Sequence, residues 1–340
     1  MRISLISLVG NSDHNIEWYL QDLVEQDTQD FEIILCINKN SQQKKIFEII
    51  SKYKKFFGSR LIVIFNTKNH SYEHNLISSF RLATGNYITI LNSDTTVKRY
   101  YVKELIAVAV QNNVELLEYK PRLIGSIHWK PKARMKDFSD TEIAKNPKIY
   151  AYAFPFIFNK VFKNNLIKKF VNYVPKTKNG SKICLELTYM LLLNAKTYKY
   201  IDKRIVREFY GPYIWLNTTN GIQTFDEIEK YIKIHSLDIS QEIQYAKYYY
   251  LKIVMLGLLT DTTFVYRNFK YKREIEQKRS DLLIDKHINY LKKIQDSSEY
   301  EIFKKANIYM LGHSVETNLL VQMLKTGKKY KKDKILSELE

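Results

Sequence analysis

Four apolar runs separated by helix-patterned segments constrain this chain more than any other feature. Ile3–Val9, Phe31–Ile37 (FEIILCI), Leu61–Phe65 and Tyr87–Leu91 read as strands. Between them lie an amphipathic stretch opened by the Asn11–Asp13 turn, a lysine-rich stretch over Gln42–Phe57 and a third over roughly His74–Leu82, all read as helices. Alternation of this kind predicts an α/β fold with a parallel sheet, and right-handed crossovers bring the strand ends to one edge. Polar tips at Gly10–Asn11, Asn38–Ser41, Asn66–Asn69 and Asn92–Asp94 then line one crevice, where open α/β sheets take their ligands.

The fourth strand carries the chemistry. ATGNYITILNSDTTV, Ala83 to Val97, enters through Gly85 and leaves through Asn92, Ser93 and Asp94. A carboxylate among amide and hydroxyl groups suits a hard cation that also carries phosphate oxygens. The same residues equally suit a strand closed by an Asx turn.

The formal charge of +18, from 54 Lys plus Arg against 36 Asp plus Glu, draws the protein to anionic surfaces. No nucleic-acid-binding module accompanies it. Cys36 and Cys184 have neither metal-knuckle nor redox spacing, which suits a reducing interior. His70 and His74 share helical spacing without a third ligand nearby. The amino-terminal apolar run is too short to span a bilayer.

Beyond Arg99 the pattern changes. A helix is expected over Tyr101–Val110 and a strand over Val114–Tyr119, followed by a basic, proline-broken loop to Asn146. The aromatic stretch Tyr150–Lys163 carries Asn159 and Lys160 in its middle, and Glu186 sits alone in the apolar segment SKICLELTYMLLLNA. A lone carboxylate there needs a reason. From about Gly221 onward only helices are expected, ending in the basic segment LKTGKKYKKDK.

Four segments together resemble the GT-A glycosyltransferases of family two, inverting and metal-dependent enzymes that use nucleotide-sugar donors. NSDHNIEWYLQDLVEQDTQDFEIIL is similar to the family's first strand, helix and second strand, and ATGNYITILNSDTTV to its metal motif. FPFIFNKVFKNNLI resembles the acceptor-side segment of the bacterial polysaccharide and glycolipid enzymes, and LELTYMLLLNAKTYKYIDK the segment holding the family's Glu-Asp pair. The resemblance implies a GT-A domain over residues 1–215, with a nucleotide-binding half (1–98) and an acceptor half (99–215), and a helical region over 216–340. It implies a hexosyltransferase binding the nucleotide through Leu8, Gly10, Asn38, Asn69, Asn92 and Ser93. Asp94 would hold Mg²⁺ or Mn²⁺, Glu186 would be the general base, and Asn159 and Lys160 would face the acceptor. Asp202 is the next acid to consider as base.

Several positions depart from the family pattern. Leu8–Asn11 lacks the usual aromatic, Asn38 and Asn92 stand where acids are usual, and Glu186 is the only acid of the expected pair. Asn38 can still accept the uracil N–H, so UDP is the expected carrier. The resemblance and the charge together imply a lipid or glycan acceptor and a peripheral place at the cytoplasmic membrane face. The competing reading is a degenerate GT-A domain that binds nucleotide or glycan without turnover.

Overall fold

The computed structural model describes residues 2–9, 13–39, 43–135, 141–177, 181–211, 216–260, 270–322 and 335–340. The chain forms two compact units, one of Met1–Arg122, Lys136–Lys145 and Phe154–Phe209, the other of Leu123–Met135, Asn146–Ala153 and Tyr210–Glu340.

In the first unit β1 (Ile3–Val9), α1 (Asp13–Val24), β2 (Phe31–Ile37), α2 (Gln43–Phe57), β3 (Leu61–Phe65), α3 (Tyr72–Leu82) and β4 (Tyr87–Ile90) alternate as expected. Helix α4 (Tyr101–Asn112) and β5 (Leu116–Tyr119) follow. After β6 (Leu123–Gly125) and α5 (Lys148–Tyr152), which belong to the second unit, come β7 (Lys160–Lys163), α6 (Asn164–Lys168), α7 (Leu185–Asn194) and β8 (Tyr198–Ile201). The seven-stranded sheet has the order β3-β2-β1-β4-β7-β5-β8. It is mostly parallel; β7 alone runs antiparallel, between β4 and β5. Helix α3 begins at Tyr72, two residues before its sequence reading, because the Ser71 hydroxyl caps it by accepting from the His74 N–H at 3.3 Å.

At the end of the sheet away from the site, Glu32 is buried yet satisfied. It accepts from the Ser4 hydroxyl at 2.5 Å, the Thr84 hydroxyl at 2.8 Å and the Thr84 and Gly85 N–H groups at 2.6 and 3.1 Å. A side chain at 85 would put its Cβ 2.7 Å from the Ser4 nitrogen, so this entry to β4 takes only glycine.

The second unit is helical from residue 218: α8 (Thr218–Ile234), α9 (Ser240–Tyr248), a π-helical stretch over Tyr249–Met255, α10 (Leu256–Thr260), α11 (Lys270–Gln295), α12 (Ser298–Ala306) and α13 (Val315–Val321). A buried ion pair organises it. Arg134 grips Glu316 with two hydrogen bonds of 2.6 and 2.8 Å, and its guanidinium lies 3.3 Å from the Tyr249 ring centroid. Among the described residues no helix is long and apolar enough to cross a membrane. The basic segment over 324–334 lies outside the described residues.

Candidate active site

Parallel pairing of β1, β2, β3 and β4 brings their carboxyl ends to one edge, and β4 delivers Asn92, Ser93 and Asp94 there. Buried bonds fix that tip. The Ser7 hydroxyl donates to the Leu91 carbonyl at 2.6 Å, the Tyr19 hydroxyl to the same carbonyl at 3.0 Å, and Thr95 to the Arg207 carbonyl at 2.7 Å.

Asn92 faces inward. Its Oδ1 accepts from the Leu8 N–H at 3.3 Å, and its Nδ2 donates to Glu208 Oε1 at 2.8 Å. Both ends of the amide are therefore spent on the protein. Asp94 instead forms an ion pair through Oδ2 with Lys182, whose ammonium also reaches Glu208 Oε1 at 3.0 Å and the Phe209 carbonyl at 3.1 Å. Burial works against the charged form of Lys182, but the Glu208 and Asp94 carboxylates outweigh it and raise its pKa above the usual lysine range. Burial pushes the Glu208 carboxyl up, with Lys182 pulling the other way. The hydroxyl of half-buried Tyr72, pushed up to about 12 by burial, lies in the field of Lys182, Asp94 and Glu208.

Asp94 Oδ1 and Ser93 Oγ are buried without a hydrogen-bond partner. Both residues line a cavity of about 220 Å³ walled on its other side by Asn15, Trp18, Tyr19 and Asp22. Buried polar atoms without partners are rare in folded proteins, and here they mark the β4 tip as a place for a ligand.

The donor set does not fit a divalent cation as it stands. A single ammonium already lies against both carboxylates, and Asn92 turns an N–H towards Glu208 rather than a lone pair towards a metal. Among the described residues no group of three His, Cys, Asp or Glu side chains could hold a metal ion. His70 and His74 stack at 4.0 Å between ring centroids.

The other expected site residues fall elsewhere. Asn38 Oδ1 accepts from Asn66 and Asn75 at 3.1 Å each and from the His70 N–H at 3.2 Å, so its acceptor is used within the protein rather than held open for a base. Asn69 is exposed in the loop before α3, and Gly10 lies outside the described residues. Glu186 is fully buried with both oxygens filled. The Tyr173 hydroxyl and Lys176 N–H donate to Oε1 at 2.6 and 2.7 Å, and the Thr177 N–H and hydroxyl to Oε2 at 2.7 and 2.5 Å. Among the described residues no ion pair or hydrogen bond joins it to the Asp94 cluster.

Asn159 and Lys160 are likewise fully buried. Lys160 pairs with Glu118 at 3.0 Å and donates to the Phe154 and Phe156 carbonyls at 2.7 Å each, while Asn159 donates to the Tyr119 carbonyl at 2.7 Å. These are core bonds, and they occupy both side chains within the protein. Asp202 pairs with Lys120 and is 57% exposed.

Sequence reasoning missed Lys182, Glu208 and Tyr72. Nothing local marks them, because each meets Asp94 only through the fold.

The Glycosyl transferase family 2 model matches residues 4–173, half of the 340-residue chain. The chain belongs to glycosyl transferase family 2. Among solved structures it is similar to S. aureus TarS 1–349 in complex with UDP, with TM-score 0.60 and 16% identity over 100% of this chain and 89% of that one. For S. aureus TarS 1–349 in complex with UDP-GlcNAc the TM-score is 0.61 and the identity 13%, over 99% and 90%. A longer TarS chain matches with TM-score 0.54 and 18% identity, over 76% of this chain and 43% of its own length. These likenesses show a shared GT-A fold. No curated protein sequence matches the chain.

Proposed function

We propose that the protein transfers a sugar from a UDP-linked donor, with inversion, to a hydroxyl of a lipid or glycan acceptor in glycolipid or cell-surface polysaccharide synthesis. The observation that carries the reading is the unfilled Asp94 oxygen at a cavity on the ligand edge of a family 2 fold. The similar TarS structures hold UDP and UDP-GlcNAc, which supports a UDP-sugar as donor.

In this reaction the acceptor oxygen bonds to the anomeric carbon as the carbon–diphosphate bond breaks, and the hydroxyl proton passes to a carboxylate. Glu186 would have to release four donors to receive it. Glu208 takes both of its hydrogen bonds on Oε1, and we assign the base role to it. Glu186 then serves as a positioning residue for the 173–177 loop. The charge of +18 supports docking at an anionic membrane face, where each basic residue near the surface contributes about 1 kcal/mol. Flotation with anionic but not neutral liposomes, lost at high salt, is the expected behaviour.

A second reading, binding without turnover, is favoured by the lysine seated on Asp94. Calorimetry with UDP, paired with chromatographic detection of UDP released from a panel of UDP-sugars, separates the two. Binding together with release supports transfer, and binding with no release from any donor supports the second reading.

A further inference from the structure

We propose that the ammonium of Lys182 is the fixed cation of the Asp94 site, standing where a divalent ion would otherwise be required. The inference rests on the nucleotide-sugar reading and deepens it, since it concerns the charge balance at the Asp94 carboxylate that this reading places beside the donor.

The Lys182 side chain is 15% exposed and its three N–H groups have three acceptors: Asp94 Oδ2, Glu208 Oε1 and the Phe209 carbonyl. Those acceptors come from the β4 tip and from residues 208–209, so the ammonium ties two segments distant in sequence. Metal binding there would require expelling the ammonium from both carboxylates into a buried setting, at the cost of an unpaired charge. The neutral amide at Asn92 belongs to the same arrangement. Its N–H points at Glu208, an orientation that satisfies a carboxylate already paired with a monovalent cation and opposes a divalent one. With Asn92 neutral, two carboxylates face one ammonium, and Asp94 Oδ1 is left for an incoming hydrogen-bond donor.

The test uses the full chain and MnCl₂ as probe, with free Mn²⁺ followed by electron paramagnetic resonance. Wild type is expected to show the same Mn²⁺ titration as Asp94→Asn, and to bind UDP equally in EDTA and in Mn²⁺. Lys182→Met is expected to gain a Mn²⁺ site, tightening binding about tenfold or more, and to lose it again when combined with Asp94→Asn. Wild-type Mn²⁺ binding that Asp94→Asn abolishes would overturn the proposal, as would UDP affinity that collapses in EDTA. The wild-type arms need no substituted chain to fold. Absence of UDP binding under every condition would count against the nucleotide-sugar reading, with the Mn²⁺ titrations still deciding the role of Lys182.

Discussion

The side-chain amide of Asn92 donates to Glu208 Oε1 across 116 residues of sequence, at 2.8 Å. This bond gives a reason for an amide where the family usually has an acid: a carboxylate at 92 would face the Glu208 carboxylate at hydrogen-bond distance. Asn92→Asp is therefore expected to destabilise the protein by about 1–3 kcal/mol in urea unfolding. The loss should be smaller at pH 5 than at pH 8, because protonating one acid of a close pair relieves the repulsion. Equal stability of the two proteins at pH 8 would refute this account of Asn92.

Glu186 offers a cleaner separation of roles. With four donors on its two oxygens, Glu186→Gln puts an NH₂ against groups that themselves donate, and about 1.5–3 kcal/mol of stability should be lost. Sugar transfer per folded molecule should hold near the parental rate, whereas Glu208→Gln should lower it roughly 10²–10⁴-fold. The reverse pattern would return the base role to Glu186.

Lys160 and Glu118 are both fully buried and paired with each other. Lys160→Met leaves the Glu118 carboxylate without its cation and should cost about 3–5 kcal/mol, while adding Glu118→Gln should recover much of it. Were Lys160 an acceptor-contacting residue instead, the single substitution would spare stability and weaken transfer. Denaturant midpoints and transfer rates on the same samples distinguish the cases.

Glu73 gives a pH dependence with a definite sign. Its carboxyl is fully buried, and burial, opposed only in part by its own backbone N–H and the Ser71 side chain, pushes its pKa up from 4.5 to about 8. The folded state therefore holds this proton more tightly than the unfolded state, and stability falls as pH rises from about 4.5 to about 8. Glu73→Gln removes the penalty. The variant should match wild type near pH 4.5 and exceed it by up to a few kcal/mol near pH 8. A constant difference across that range would show that Glu73 does not titrate in it.

How much of this was legible in the sequence depended on the range of the interaction. Apolar runs and caps act over a few residues, so β1–β4 and their helices could be read directly, as could Asp94 at the β4 tip. The antiparallel β7 could not, because Lys160–Lys163 carries no period-two signature and is placed by pairing with β4 and β5. Lys182 and Glu208 lie 88 and 114 residues beyond Asp94. Glu186, Asn159 and Lys160 were noticed for a sound reason, polar groups in apolar company. The partners that satisfy Glu186 sit nine to thirteen residues away, in a loop without sequence signature.

The most direct test of the central claim is UDP release from a panel of UDP-sugars by wild type and by Asp94→Asn, each confirmed folded by circular dichroism. Wild type should release UDP from at least one donor, and the Asp94→Asn protein from none. Equal release by both proteins would contradict the account.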